Sequence, residues 1–134
     1  MENRLPCSKS LKCSFYPEDR RVEGESYLLV KVYGDCLDSD ASPIVIKNGD
    51  VVFCRVIQKV VLSRLLCLVG KFVAVTLQDG RCAIKHFTFY DGISDRIELT
   101  AYNPQGSYFV PLNRIKSVFV VEGRRDGEGV VRYI

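Results

Sequence analysis

Two runs of apolar and β-branched residues, Phe72-Val73-Ala74-Val75-Thr76-Leu77 and Arg81-Cys82-Ala83-Ile84-Lys85-His86-Phe87, stand on either side of Gln78-Asp79-Gly80. An Asp-Gly step supplies the positive φ values that a tight turn matching strand twist requires. The pair therefore reads as a β-hairpin, and a hairpin commits its neighbours to supplying more strands, since two strands alone are marginal in water. Side chains alternate across a strand. Arg81, Ala83, Lys85 and Phe87 thus share one face, and Cys82, Ile84 and His86 the other. Lys85 then lies between Ala83 and Phe87, a half-apolar setting for an amine.

The rest of the chain continues in the same style. Tyr27 to Tyr33, Val51 to Ile57, Ile97 to Ala101 and Ile115 to Glu122 are short runs bounded by Gly, Asp, Asn or Pro. Such runs read as strands. Asp126-Gly127 predicts a closing hairpin with Val130 to Ile134 as its return arm, and Asn103-Pro104 a turn. Gln58 to Val69 fits either a short helix or a strand, because Val60, Val61, Leu65, Leu66, Leu68 and Val69 satisfy both periods. The sum is about seven short strands with little helix, hence a mostly-β sandwich or half-barrel. A polar arm over residues 1–26 without sustained period precedes one domain over residues 27–134.

Composition excludes several function classes. An apolar fraction of 47% with 26% charged residues belongs to a globular chain, and 134 residues suit one domain. The net charge of +3 is too small to predict a nucleic-acid surface, so DNA binding by this chain alone is not expected. Val60 to Leu77 is the most apolar run, yet Arg64 and Lys71 interrupt it, and a span needs about 18 nearly uncharged residues. No membrane association is expected. Six cysteines could form disulfides, but Met1-Glu2-Asn3-Arg4-Leu5-Pro6 opens no secretory leader, so the reading is cytoplasmic with reduced thiols. None of the cysteines forms a Cys-x-x-Cys pair and His86 is the only histidine, which leaves neither a metal site nor a cofactor to expect.

Chemistry concentrates in Val32-Tyr33-Gly34-Asp35-Cys36-Leu37-Asp38-Ser39-Asp40 and Lys47-Asn48-Gly49-Asp50-Val51-Val52, where one Gly-Asp turn presents a small nucleophilic side chain and a second launches a strand. Taken in order, Tyr33-Gly34-Asp35-Cys36-Leu37, Asn48-Gly49-Asp50-Val51-Val52, Gly70-Lys71-Phe72-Val73-Ala74-Val75, Ala83-Ile84-Lys85-His86-Phe87 and Ile97 to Pro104 resemble the LexA-type peptidase domain. That family includes LexA, UmuD and phage repressors and is related to the signal peptidases. The likeness covers roughly Tyr27 to Gly123 and rests on the ordered set. The longer interval between the two Gly-Asp turns resembles a subgroup of repressor-like proteins. A Ser-Lys dyad, a β-rich fold and dimers are what the resemblance implies. Two features depart from it. Cys36 and Leu37 stand where the family has Ser and Met, and Met1 to Glu25 is too short for the helix-turn-helix that repressors carry. A self-cleavage Ala-Gly or Cys-Gly before Cys36 is also missing.

Carried over residue by residue, the resemblance implies Cys36 as nucleophile, Lys85 as general base, and the backbone amides of Cys36 and Leu37 as oxyanion donors. The lysine of such a dyad works as a neutral amine, which apolar neighbours favour. A thiol relaxes the demand on the base because it is more acidic than a hydroxyl. His86 is the weaker alternative base, pointing to the face opposite Lys85. Asp35, Asp38, Asp40 and Asp50 lack calcium-loop spacing, and Asp35 and Asp50 read as shaping their turns through side-chain to backbone hydrogen bonds. Arg124 and Arg125 read as a solvated turn. The rival reading is an inactive module for homodimerisation or for a protein partner, using Ser117 to Val121 as its interface. A third is a regulator reaching DNA through a separate helix-turn-helix partner.

Overall fold

β-branched and aromatic residues fit a pleated, half-buried surface, and the runs rich in them form the strands of this protein. In a computed structural model, residues 8–11, 27–57 and 62–133 are described. In chain order these contain β1 (Ser8–Leu11), β2 (Tyr27–Val32), β3 (Val51–Ile57), the helix α1 (Leu62–Leu68), β4 (Phe72–Leu77), β5 (Cys82–Asp91), β6 (Arg96–Tyr102), β7 (Gln105–Pro111), β8 (Ile115–Arg125) and β9 (Val131–Tyr133). All nine described strands join one antiparallel sheet in the order β1-β2-β3-β8-β4-β5-β6-β7, with β9 on β8. The sheet curves into a half-barrel. Strand twist supplies part of that curvature. Register shifts at Phe53/Cys54, Thr76/Leu77 and Phe87/Phe89 supply more, since a bulge bends its strand.

Curvature creates two apolar clusters. On one face of the central strands Val73, Val75, Phe87, Leu99, Val118 and Val120 pack together, covered by Leu65 and Leu68 of α1. The other face joins Phe72, Ala74, Ile84 and Val121 to Val30 and Val52 and to Leu37 and Ile46 of the loop between β2 and β3. Burying each such side chain contributes roughly 1.5–3 kcal/mol. Both faces of β5 are therefore covered at its start, and Cys82, Ala83, Ile84 and Lys85 are all buried.

The mostly-β expectation holds, with differences in detail. The β4–β5 hairpin forms, but its loop is wider than a two-residue turn. Gly80 N–H donates to the Leu77 carbonyl at 2.9 Å, Leu77 N–H donates to the Arg81 carbonyl at 2.8 Å, and within Asp79-Gly80 only Gly80 has positive φ, 93°. Asp79 contributes through its carboxylate, which accepts the Arg81 N–H at 3.0 Å. The closing hairpin likewise takes its positive φ, 85°, at Gly129 and not at Gly127. Its return strand covers Val131–Tyr133, and Ile134 lies outside the described residues.

Gln58–Val69 resolves in favour of a helix over Leu62–Leu68, while 58–61 lie outside the described residues. β7 was not expected from the sequence. Val110 is its one fully buried position, so burial imposes almost no apolar alternation on it. Within the arm over residues 1–26, Ser8–Leu11 forms a strand on β2, and the other arm residues lie outside the described set. Ser117 to Val121 is not an exposed edge. It lies in β8, paired with β3 on one side and β4 on the other, with Val118, Val120 and Val121 buried. A strand bonded on both edges has no backbone left for a partner, so this interface expectation is withdrawn.

Gly123 sits where β8 bulges against β3, and a Cβ there would meet the Arg132 carbonyl at 2.9 Å and the Phe53 ring at 3.2 Å. Because one obstacle is backbone, Gly123→Ala should destabilise by about 1–3 kcal/mol in urea denaturation; an unchanged midpoint would refute the close packing. Asp126 accepts the N–H groups of Glu128 at 2.9 Å and Val130 at 3.0 Å. The bond from Val130 is the main reason its carboxyl titrates below the usual value, with Glu128, Arg124 and Arg132 adding to it. A lowered folded value means stabilisation that is complete above the unfolded carboxyl pKa, about 4, and is lost as pH falls through the folded one. Asp126→Ala should flatten the acid limb of the stability profile below about pH 4.

Candidate functional site

The two Gly-Asp turns are sewn to each other. Gly34 and Gly49 have φ of 103° and 91°, a region that side chains disfavour, which accounts for glycine at both. Gly49 N–H donates to the Val32 carbonyl at 2.9 Å and Val32 N–H to the Asp50 carbonyl at 2.8 Å, continuing the β2–β3 ladder. The Asn48 carboxamide oxygen accepts the Gly34 N–H at 2.8 Å. Asp50, nearly inaccessible, accepts the Lys47 N–H at 2.9 Å and has Arg124 at 3.6 Å. Asp50 thus shapes its turn as expected, and Arg124 is tied to it instead of standing in a solvated turn. Asp35 acts through its carbonyl, which accepts from Asp38 N–H at 3.0 Å.

From this platform Cys36 is carried to the end of β6. Its carbonyl accepts the Tyr102 N–H at 2.8 Å and the Asn103 N–H at 3.0 Å. The Asn103 carboxamide donates to the Asp38 carbonyl at 3.2 Å, holding the far side of the turn. Leu37 is buried among Val30, Ile46 and Phe72, and the half-buried Cys36 packs on the same cluster. Cys36, Cys54, Cys67 and Cys82 carry no disulfide.

Lys85 is 0% exposed, in the middle of a sheet. Val73 lies directly across on β4, and Ala83 and Phe87 flank it on its own strand. Extending the β5–β6 register one step beyond His86↔Thr100 puts Ala101, also buried, across from it on the other side. The setting is more apolar than alternation alone suggests. Lysine is almost never fully buried without a partner, because desolvating an ammonium costs several kcal/mol, and Lys85 is engaged by its surroundings. Tyr102, the residue after Ala101, is the one that holds the Cys36 carbonyl. The Cys36 backbone is therefore fastened one residue from a cross-strand neighbour of Lys85. The side chains are assigned differently: Cys36 rests on the cluster of Phe72 and Ile84, whereas alternation directs Lys85 to the face of Val73 and Phe87.

His86 lies on the face opposite Lys85, as expected. Its ring stacks on Phe72, centroids 4.6 Å apart and 3° from parallel. Nε2 lies 3.1 Å from the Gly70 carbonyl and Nδ1 2.6 Å from the Tyr102 hydroxyl. A carbonyl only accepts, so Nε2 carries a proton, and in the neutral ring Nδ1 accepts from Tyr102. Burial holds the Tyr102 phenol above its ordinary pKa, so it remains a donor at neutral pH. Both ring nitrogens of His86 are thus engaged, one by Gly70 and one by Tyr102.

Sequence reasoning included Asn48, Tyr102 and Asn103-Pro104 in the segments that carry the family resemblance and read Asn103-Pro104 as a turn, but gave Asn48 and Tyr102 no role of their own. Each acts through a contact made by folding: 14 residues separate Asn48 from Gly34, and 16 separate Tyr102 from His86. Among the described residues no three His, Cys, Asp or Glu side chains gather as a metal would need, and no helix is long and apolar enough to cross a membrane. Comparison with protein-family models, curated proteins and solved structures finds no match to this chain.

Removing one member of a buried polar set leaves the rest desolvated and unpaired, and Lys85 is both wholly buried and engaged. Lys85→Met, which keeps length and removes charge, should therefore lower the urea midpoint by the equivalent of about 3 kcal/mol. A midpoint equal to or above wild type would refute that engagement.

Proposed function

We propose that the chain is a LexA-like peptidase domain in which Cys36 is the nucleophile and Lys85 the general base of an amide hydrolase. The observation that carries this reading is the wholly buried Lys85, whose cross-strand neighbour Ala101 immediately precedes the residue that fastens the Cys36 carbonyl. The ordered motifs support it, as does the pairing of the two Gly-Asp turns. The reaction requires the Lys85 amine to reach the Cys36 sulfur from the face of Val73 and Phe87; the thiol proton would then pass to the amine and the thiolate attack the amide carbon. A C–S bond forms, the C–N bond breaks, and the proton leaves on the departing amine. Water then hydrolyses the thioester and restores the thiol. The amides of Cys36 and Leu37 would hold the oxyanion, a contribution that for one such donor is about 100- to 1,000-fold in rate. A thiol nucleophile suits a reducing, cytoplasmic setting, and no cofactor is required.

A second reading is favoured by the assignment of Cys36 and Lys85 to different clusters. In it the site is silent and the domain serves as a homodimerisation or partner-binding module. Its surface would be the open edge of β7 with the exposed rings of Phe89 and Phe109, in place of Ser117 to Val121. A separate helix-turn-helix partner would still be needed for DNA.

Iodoacetamide at neutral pH separates the two. A working dyad labels Cys36 faster than the exposed Cys67, and Lys85→Ala slows Cys36 by about tenfold or more through loss of thiolate. Equal rates at all cysteines, or indifference to Lys85→Ala, would end the peptidase reading. The module predicts a dimer in sedimentation that persists unchanged in Cys36→Ala, and a monomer at working concentration would exclude it.

A further inference from the structure

The Cys36 carbonyl and the Leu37 N–H belong to one planar trans peptide, so they point in opposite directions. Whatever grips the carbonyl therefore aims the amide. The grip is the pair of N–H groups of Tyr102 and Asn103, at 2.8 and 3.0 Å. Tyr102 is the last residue of β6 and is itself held from the side: its hydroxyl is 2.6 Å from Nδ1 of His86. The His86 ring is locked in turn by its stack on Phe72 and by its bond at 3.1 Å to the carbonyl of Gly70, the glycine that ends α1 at φ 93°. A continuous set of bonds thus runs from the end of α1 through β5 and β6 to the peptide that follows Cys36.

We propose that His86 and Tyr102 are positioning residues that orient the Leu37 N–H as an oxyanion donor. The inference rests on the reading of Cys36 as a nucleophile, but it makes no use of Lys85. Both side chains act through the backbone: the bond between the Tyr102 hydroxyl and His86 Nδ1 fixes each against the other, and the second His86 nitrogen is held by the Gly70 carbonyl.

The test compares two reagents on the full chain. p-Nitrophenyl acetate acylates a thiolate through a tetrahedral oxyanion: a C–S bond forms, the ester C–O bond breaks and p-nitrophenolate departs. Iodoacetamide alkylates by direct displacement of iodide and forms no oxyanion. Tyr102→Phe keeps the ring and the backbone N–H but loses the hydroxyl, and His86→Phe keeps the stack but loses both bonds. Each should slow acylation of Cys36 by about 10-fold or more and leave its alkylation within about twofold of wild type. His86→Gln, which offers one acceptor and one donor, should restore acylation. Peptide mapping with Cys67 as internal comparator, and circular dichroism of each variant, complete the measurement. Equal slowing of both reactions, slowing of neither, no rescue by His86→Gln, or wild-type Cys36 acylated no faster than Cys67 would each overturn the proposal. Lys85→Ala tests the dyad separately: if it leaves alkylation untouched while Tyr102→Phe still slows acylation alone, the dyad fails and the positioning pair stands.

Discussion

The pairing of β8 on both its edges is the constraint on which the rest of the structure depends. β3 and β4 belong to one sheet because β8, 11 residues long, lies between them and bonds to each. Without it the β1–β2–β3 segment and the β4–β7 segment would each keep an open edge and an uncovered apolar face. Its alternation serves both clusters: Val118 and Val120 go to one and Val121 to the other. The bulge at Gly123 bends the strand where it meets Phe53, and the sheet closes far enough for the β2–β3 loop to reach the end of β6.

That reach creates the site. Cys36 comes from one side of the β8 joint and Tyr102, Asn103 and Lys85 from the other. Main-chain bonds make the connection: two N–H groups on one carbonyl, with a third contact from Asn103 to Asp38. Backbone bonds of this kind are nearly indifferent to which side chain follows. They permit a thiol where a hydroxyl would serve in the proposed chemistry, and they would persist in a domain retained for its surface alone. The buried Lys85 is harder to reconcile with a surface role, since apolar residues in place of Lys85 and its partners together would often be as stable or more so.

His86 illustrates how a residue can be read correctly and still incompletely. Alternation along β5 puts it opposite Lys85, and it is there. The stack on Phe72 and the bonds to Gly70 and Tyr102 depend on β4, the end of α1 and β6 converging on one ring. None of these partners stands at a spacing that a sequence pattern marks.

By itself the sequence determined the strands whose residues alternate or are wholly apolar, the hairpin at Gly80, and the glycines at both Gly-Asp turns, because these depend on local sterics and on periodicity within a few residues. It also marked Cys36 and Lys85 as the residues to follow. Tertiary structure alone decided that Ser117 to Val121 is central and that Gln105–Pro111 forms an outer strand, since strand order and edge pairing are set by packing between distant segments. It also decided that Lys85 is wholly buried and that the Cys36 carbonyl is gripped at the end of β6. Both are contacts between segments far apart in the chain, and such contacts leave no period to read.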